Sequence, residues 1–207
     1  MEKSRISIAY VGVLSPSKEN LTFELDNKFC RDLFGQPYDT VNGMTPEGYV
    51  IRIGSRPFPL VVINPLKLII KAESIDKLTE YISKLSLLFK DYKFIAYGIN
   101  YEYETINMKE DPKKWLWEKF IKESISTPND FHVCSGIKLS YGLNESELLN
   151  IDIEPRNGAN GLFFSINHHH QIETKGLPST DEIKDIIDTS YQCVEKDFFN
   201  NLTRWRN

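Results

Sequence analysis

The sequence predicts an α+β fold built as two sheet-then-helix halves, each with mostly antiparallel strands and one long covering helix, joined by a short tryptophan-bearing helix. Residues 5–14, 93–104 and 161–173 alternate in the two-residue period of strands. Residues 74–91 and 179–205 instead carry apolar side chains at spacings of three and four, the stripe of an amphipathic helix. Aromatic residues make up 12% of the chain, which suits sheet surfaces better than a helical bundle.

The halves are read as residues 1–104 and 128–207, with residues 105–127 as a helical connector and the whole as one compact unit. In the first strand Ile6, Ile8 and Tyr10 alternate with Ser7, Ala9 and Val11. Phe29, Leu33 and Phe34 then sit at helical spacing ahead of Gly35, a fitting helix stop. Residues 49–54 and 60–72 read as strands, the second with Pro65 at a bulge or edge position. Helix 74–91 has Ser74 as its cap, Asp76 in its first turn and Ile75, Leu78, Ile82, Leu85 and Phe89 as its stripe. Strand 93–104 places Phe94, Ala96 and Gly98 on one face and Ile95, Tyr97, Ile99, Tyr101 and Tyr103 on the other. Asp111-Pro112 opens the connector helix with a cap and a first-turn proline. Residues 131–143, 147–154 and 161–173 read as strands, with PRNGANG as a turn using positive φ. The last helix begins in a capping box, Ser179 with Glu182, and buries Ile183, Ile187, Ser190, Val194, Phe198 and Leu202.

Bulk properties exclude several function classes. A net charge of −4 does not provide the positive surface that replaces counterions around phosphate, so no nucleic-acid partner is expected. Cys30, Cys134 and Cys193 are odd in number and far apart, which suits reduced thiols better than a disulfide framework. MEKSRISIAYVGVL lacks a signal peptide's apolar core and cleavage site, and the apolar run 60–70 is interrupted by Pro65 and Lys67. The expectation is a soluble cytoplasmic protein with no membrane partner.

His168-His169-His170 is the constellation that stands out. In a strand His168 and His170 point to the same side, as zinc-binding HxH pairs do, and share it with Leu162, Phe164, Ile166 and Ile172. A polar group on such a face needs a partner. A divalent metal would need further ligands, for which His132 with Cys134, or Asp152 with Glu154, are candidates by shared face. The competing reading is a half-buried pair bonded to backbone or carboxylates at a strand end. There is no GxSxG elbow, GxxxxGK[ST] loop or GxGxxG turn, so no catalytic residue and no cofactor is expected. Cys193 beside the last helix's buried stripe reads as a small core residue. Trp115, Trp117 and Phe120 form a wide apolar arc on the connector helix, which either docks across the join or offers a binding surface.

The closing pattern LPSTDEIKDIIDTSYQCVEKDFFNNLTRW, with Asp197-Phe198-Phe199 and Leu202-Thr203, resembles a sporadically distributed family of bacterial proteins. The resemblance covers about the last third of the chain, and MEKSRISIAY departs from it. It implies a bacterial, cytoplasmic, two-part α+β protein and carries no site residues. The expected function is a non-enzymatic binding or assembly protein acting through protein–protein contacts or self-association. The alternatives are a metal-assisted or histidine-dependent enzyme centred on His168 and His170, and a small-ligand pocket between the halves.

Overall fold

The computed structural model describes residues 2–15, 43–45, 48–53, 60–64, 66–121, 134–156 and 158–204. The expected short helix before Gly35, Cys30, His132 and Trp205 lie outside the described residues. The strands are β1 (Glu2–Leu14), β2 (Gly43–Thr45), β3 (Gly48–Ile53), β4 (Leu60–Asn64), β5 (Lys67–Ala72), β6 (Lys93–Ile106), β7 (Ile137–Gly142), β8 (Glu147–Pro155) and β9 (Leu162–Lys175). They form one sheet in the order β2-β3-β4-β5-β1-β6-β9-β8-β7, with every neighbouring pair antiparallel. Among the described residues four α-helices, α1 (Ile75–Phe89), α2 (Pro112–Phe120), α3 (Thr180–Tyr191) and α4 (Phe199–Arg204), contribute to a single core. A π-helical segment, Gln192–Phe198, makes α3 and α4 one continuous element. The architecture is α+β.

One face of the sheet is dry. Ile63, Leu68, Ile70, Ile8, Tyr10, Ile99, Tyr101, Phe164, Ile166, Ile151 and Ile153 are buried there under α1 and α3, each side chain contributing about 1.5–3 kcal/mol of transfer free energy. The Tyr101 hydroxyl donates to the Ile187 carbonyl, fixing α3 over β6. The opposite face carries polar cross-strand pairs: Ser7 and Lys71 donate to Glu102, Asn167 to Asn100, and Ser140 to Asn150.

Caps occur where the sequence places them. Ser74 accepts from Lys77 N, Asp111 from Lys114 N, and Ser179 and Glu182 form a reciprocal capping box. All six residues of the predicted C-terminal stripe are buried.

Three readings change. Residues 60–72 are two antiparallel strands rather than one, paired from Leu60↔Lys71 to Asn64↔Lys67, and the bulge or edge position expected of Pro65 falls outside the described residues. Phe94 joins Tyr97, Ile99, Tyr101 and Tyr103 on the buried face, because the register shifts between Phe94 and Ala96 and resets the alternation. A second shift between Arg5 and Ser7 leaves Ile6 exposed, while Ile8 and Tyr10 remain inside. Strand β6, assigned by pattern to the N-terminal half, pairs with β1 on one side and β9 on the other.

Where the β6–β9 ladder ends, the Thr105 hydroxyl accepts from Leu162 N, and Gly161 packs directly on the Thr105 carbonyl. A methyl group at position 161 would overlap that carbonyl oxygen. Gly161→Ala is therefore expected to lower stability by about 2–3 kcal/mol, measurable as a reduced urea midpoint with unchanged m-value. Equal midpoints would remove this close approach from the account.

Candidate functional site

The β8–β9 hairpin builds the site. Gly158 at φ 72° supplies the left-handed residue of its turn, and Arg156 N donates to the Gly161 carbonyl across it. Once Pro155 pairs with Leu162, each step back along β8 is a step forward along β9. That register brings Leu149 opposite His168 and Glu147 opposite His170. Glu147 shares the phase of Leu149, Ile151 and Ile153, so its carboxylate lies on the histidine side of the sheet.

His168 is 1% exposed and His170 6%, whereas the Glu147 side chain is 30% exposed, so the site opens to solvent along its carboxylate. The Glu147 carboxylate stands 3.7 Å from His168 Nε2 and 3.5 Å from His170 Nδ1. Both separations are too long for good hydrogen bonds. His168 Nδ1, His168 Nε2 and His170 Nε2 are buried without a hydrogen-bond partner among the described residues. The imidazole rings lie 4.1 Å apart, and His170 stacks on Tyr97 at 4.6 Å and 20°. Tyr97 in turn stacks on Tyr10, giving the site an aromatic wall.

Electrostatics keep both rings neutral. Burial lowers the pKa of His168, opposed by the Glu147 charge. Burial, then the proximity of His168, lowers that of His170. Burial and Glu147 push the Tyr97 hydroxyl up to about 12, so it remains protonated. Neutral imidazoles with a free lone pair are the form that ligates metals.

The donor geometry fits one ion. Ligand atoms of Glu147, His168 and His170 lie within 4.8 Å of one another. Donors 2.0–2.1 Å from a tetrahedral ion stand roughly 3.3–3.5 Å apart, close to the two carboxylate–imidazole separations. Two nitrogens and one oxygen suit a divalent transition metal better than calcium or magnesium.

The other expected residues stand elsewhere. Asp152 pairs with Lys138 and Glu154 is exposed, while the buried residues of their strand, Ile151 and Ile153, occupy the histidine side. Cys134 is buried beside α2, and its thiol donates to the Gly136 carbonyl. Cys193 is half-buried in the π segment, where burial, Asp197 and Glu147 raise its pKa and keep it a thiol. Trp115 is buried, and Trp117 and Phe120 are partly buried against the same core. Glu147 was not singled out from sequence, although its apolar phase and the hairpin register both point to it.

Comparison with known proteins finds no matching family model, no matching curated protein and no matching solved structure. No helix among the described residues is long and apolar enough to cross a membrane.

The lowered histidine pKa values have a thermodynamic consequence. Below the unfolded value of 6.5 the unfolded chain binds protons that the native state refuses, so stability is lost as pH falls from that value toward the native pKa. The metal-free protein's melting temperature is expected to drop by about 5 °C between pH 7 and pH 5. His168→Gln/His170→Gln should flatten that segment of the profile. A wild-type profile level across this window would contradict neutral buried imidazoles.

Proposed function

We propose that the chain is a metal-binding protein whose Glu147, His168 and His170 hold one divalent transition-metal ion, zinc being the best fit to the donor set. The observation that carries this reading is the convergence of three donor groups on one point, with His168 Nε2 buried there without a hydrogen-bond partner. His168 Nε2, His170 Nδ1 and one Glu147 oxygen would be the ligands. A fourth position on the exposed side of Glu147 would admit water, whose pKa such an ion lowers toward neutrality. Tyr97 would hold the His170 ring in place by stacking.

Protein purified without nickel is expected to contain about one zinc per chain by elemental analysis. Zinc at roughly 100 times its dissociation constant should stabilise the folded state by about 2.7 kcal/mol. Cobalt substitution should give visible d–d absorption. His168→Ala/His170→Ala should lose the metal and the stabilisation together. Substoichiometric metal with no stabilisation by zinc or cobalt would sink the reading.

A second reading, assembly through the sheet edge, is favoured by a different observation. Tyr141, Leu143 and Leu148 are exposed on the β7–β8 hairpin, Tyr141 and Leu148 on opposite faces, and β7 is an edge strand among the described residues. The two-half architecture belongs to this reading. Strand β1 takes β5 as its return strand ahead of α1, and β6 takes β9 ahead of α3, an order that supports a repeated unit. Such a repeat would divide the chain before Lys93 rather than after Glu104. Light scattering on size-exclusion peaks is expected to give a dimer mass that Tyr141→Lys/Leu148→Lys reduces to the monomer. A wild-type monomer would remove the assembly reading.

A further inference from the structure

A second polar site lies on the helix-covered face of the sheet, independent of the histidine cluster. Lys3, Arg5, Tyr103, Tyr191 and Glu195 line a cleft of about 240 Å³ where β1 and β6 meet the end of α3 and the π segment.

Its charges are unequally matched. Lys3 pairs with Glu195, and its ammonium also lies 3.8 Å from the centroid of the Phe199 ring and 5.5 Å from that of Tyr103. Carboxylate and rings therefore hold Lys3 in place. Arg5 is different: the residue is half-buried, and no ion pair engages it among the described residues. A guanidinium cannot shed its charge, and its planar fork is built for two parallel bonds to a carboxylate or phosphate.

The remaining walls supply donors. Tyr103 is almost wholly buried, and its hydroxyl faces Glu195 without a hydrogen bond of good geometry. Burial and the nearby Glu195 raise the pKa of this hydroxyl, so it remains protonated. Tyr191, 36% exposed, stands at the mouth. Glu195 follows it by four positions, so both reach the cleft from one side of a helix that passes there from α to π geometry. Such π segments recur at functional sites.

We propose that this cleft binds a small organic anion, with Arg5 gripping its carboxylate or phosphate and the hydroxyls of Tyr103 and Tyr191 completing the contact. The Lys3–Glu195 pair closes the base and is not consumed. The cleft falls below the roughly 300–1,000 Å³ of drug-sized pockets, so the occupant is a short-chain acid or a phosphate-sized group rather than a nucleotide.

Thermal melts and calorimetry with inorganic phosphate and with succinate, at matched ionic strength against chloride, test this directly. One anion is expected to bind saturably and raise the melting temperature. Preference for phosphate would assign a phosphate-bearing ligand, and preference for succinate a carboxylate. Arg5→Gln should weaken binding about tenfold or more, the loss of a bidentate charged contact, with Arg5→Lys intermediate. Tyr191→Phe, which removes only a hydroxyl from the rim, gives the same test by a smaller loss if Arg5→Gln does not fold. Neither anion exceeding chloride up to tens of millimolar, or equal shifts in wild type and the Arg5 or Tyr191 variant, would overturn the assignment. His168→Ala/His170→Ala should retain anion binding, which separates this site from the metal site.

Discussion

The fold hangs on the antiparallel ladder between β1 and β6, two long strands that occupy the middle of the sheet and come from well-separated parts of the chain. Each uses one edge for the other and offers its second edge to a flank: β5 joins β1, and β9 joins β6. Their core-facing side chains are large and largely aromatic, with Tyr10 stacked on Tyr97 and Tyr101 on Tyr103. Where a flanking ladder ends, neighbouring side chains take over, as when Thr105 accepts the amide of Leu162. Because both central strands bury one whole face, register is tightly fixed: a one-residue slip would turn that face toward water.

That constraint makes the histidine cluster consequential. Strand β9 buries Leu162, Phe164 and Ile166 through a two-residue period, and the period places His168 and His170 on the same dry face. An unsatisfied buried polar group costs about 1–3 kcal/mol, and three imidazole nitrogens are in that position. The Glu147 charge offsets part of the cost but is too distant to bond either ring well. The proposed metal would ligate one of the three, His168 Nε2, and structural zinc sites contribute on the order of 10 kcal/mol or more. That gain exceeds the cost of the two nitrogens a single ion would leave unpaired, which is why the proposed function places a metal here.

Local signals in the sequence were legible because their causes are local. Ser74, Asp111 and the Ser179–Glu182 box cap the helices they announce, since a cap needs only its own first turn. The alternation of β9 likewise sets the phase of His168 and His170. What escaped depends on long-range pairing. The shifts at Arg5/Ser7 and Phe94/Ala96 arise between strands, so no one-strand pattern reveals that Ile6 turns outward or that Phe94 turns inward. Glu147 looked like one acid among many until the hairpin register placed it against His170. Arg5 and Tyr103 meet only through the β1–β6 ladder, which carries no sequence motif.

In the C-terminal helix one irregularity bears on both the packing and the proposed anion cleft. From Ile187 on, its buried stripe of Ser190, Val194, Phe198 and Leu202 is spaced by three and then repeatedly by four. On an ideal α-helix each step of four overshoots a full turn by about 40°, so successive steps of four would carry the stripe off the sheet. The π segment at Gln192–Phe198 adds a residue to the turn and keeps Val194, Phe198 and Leu202 inside. The same wider turn directs Glu195 to Lys3 in the anion cleft, while Cys193 lies within the electrostatic reach of Glu147.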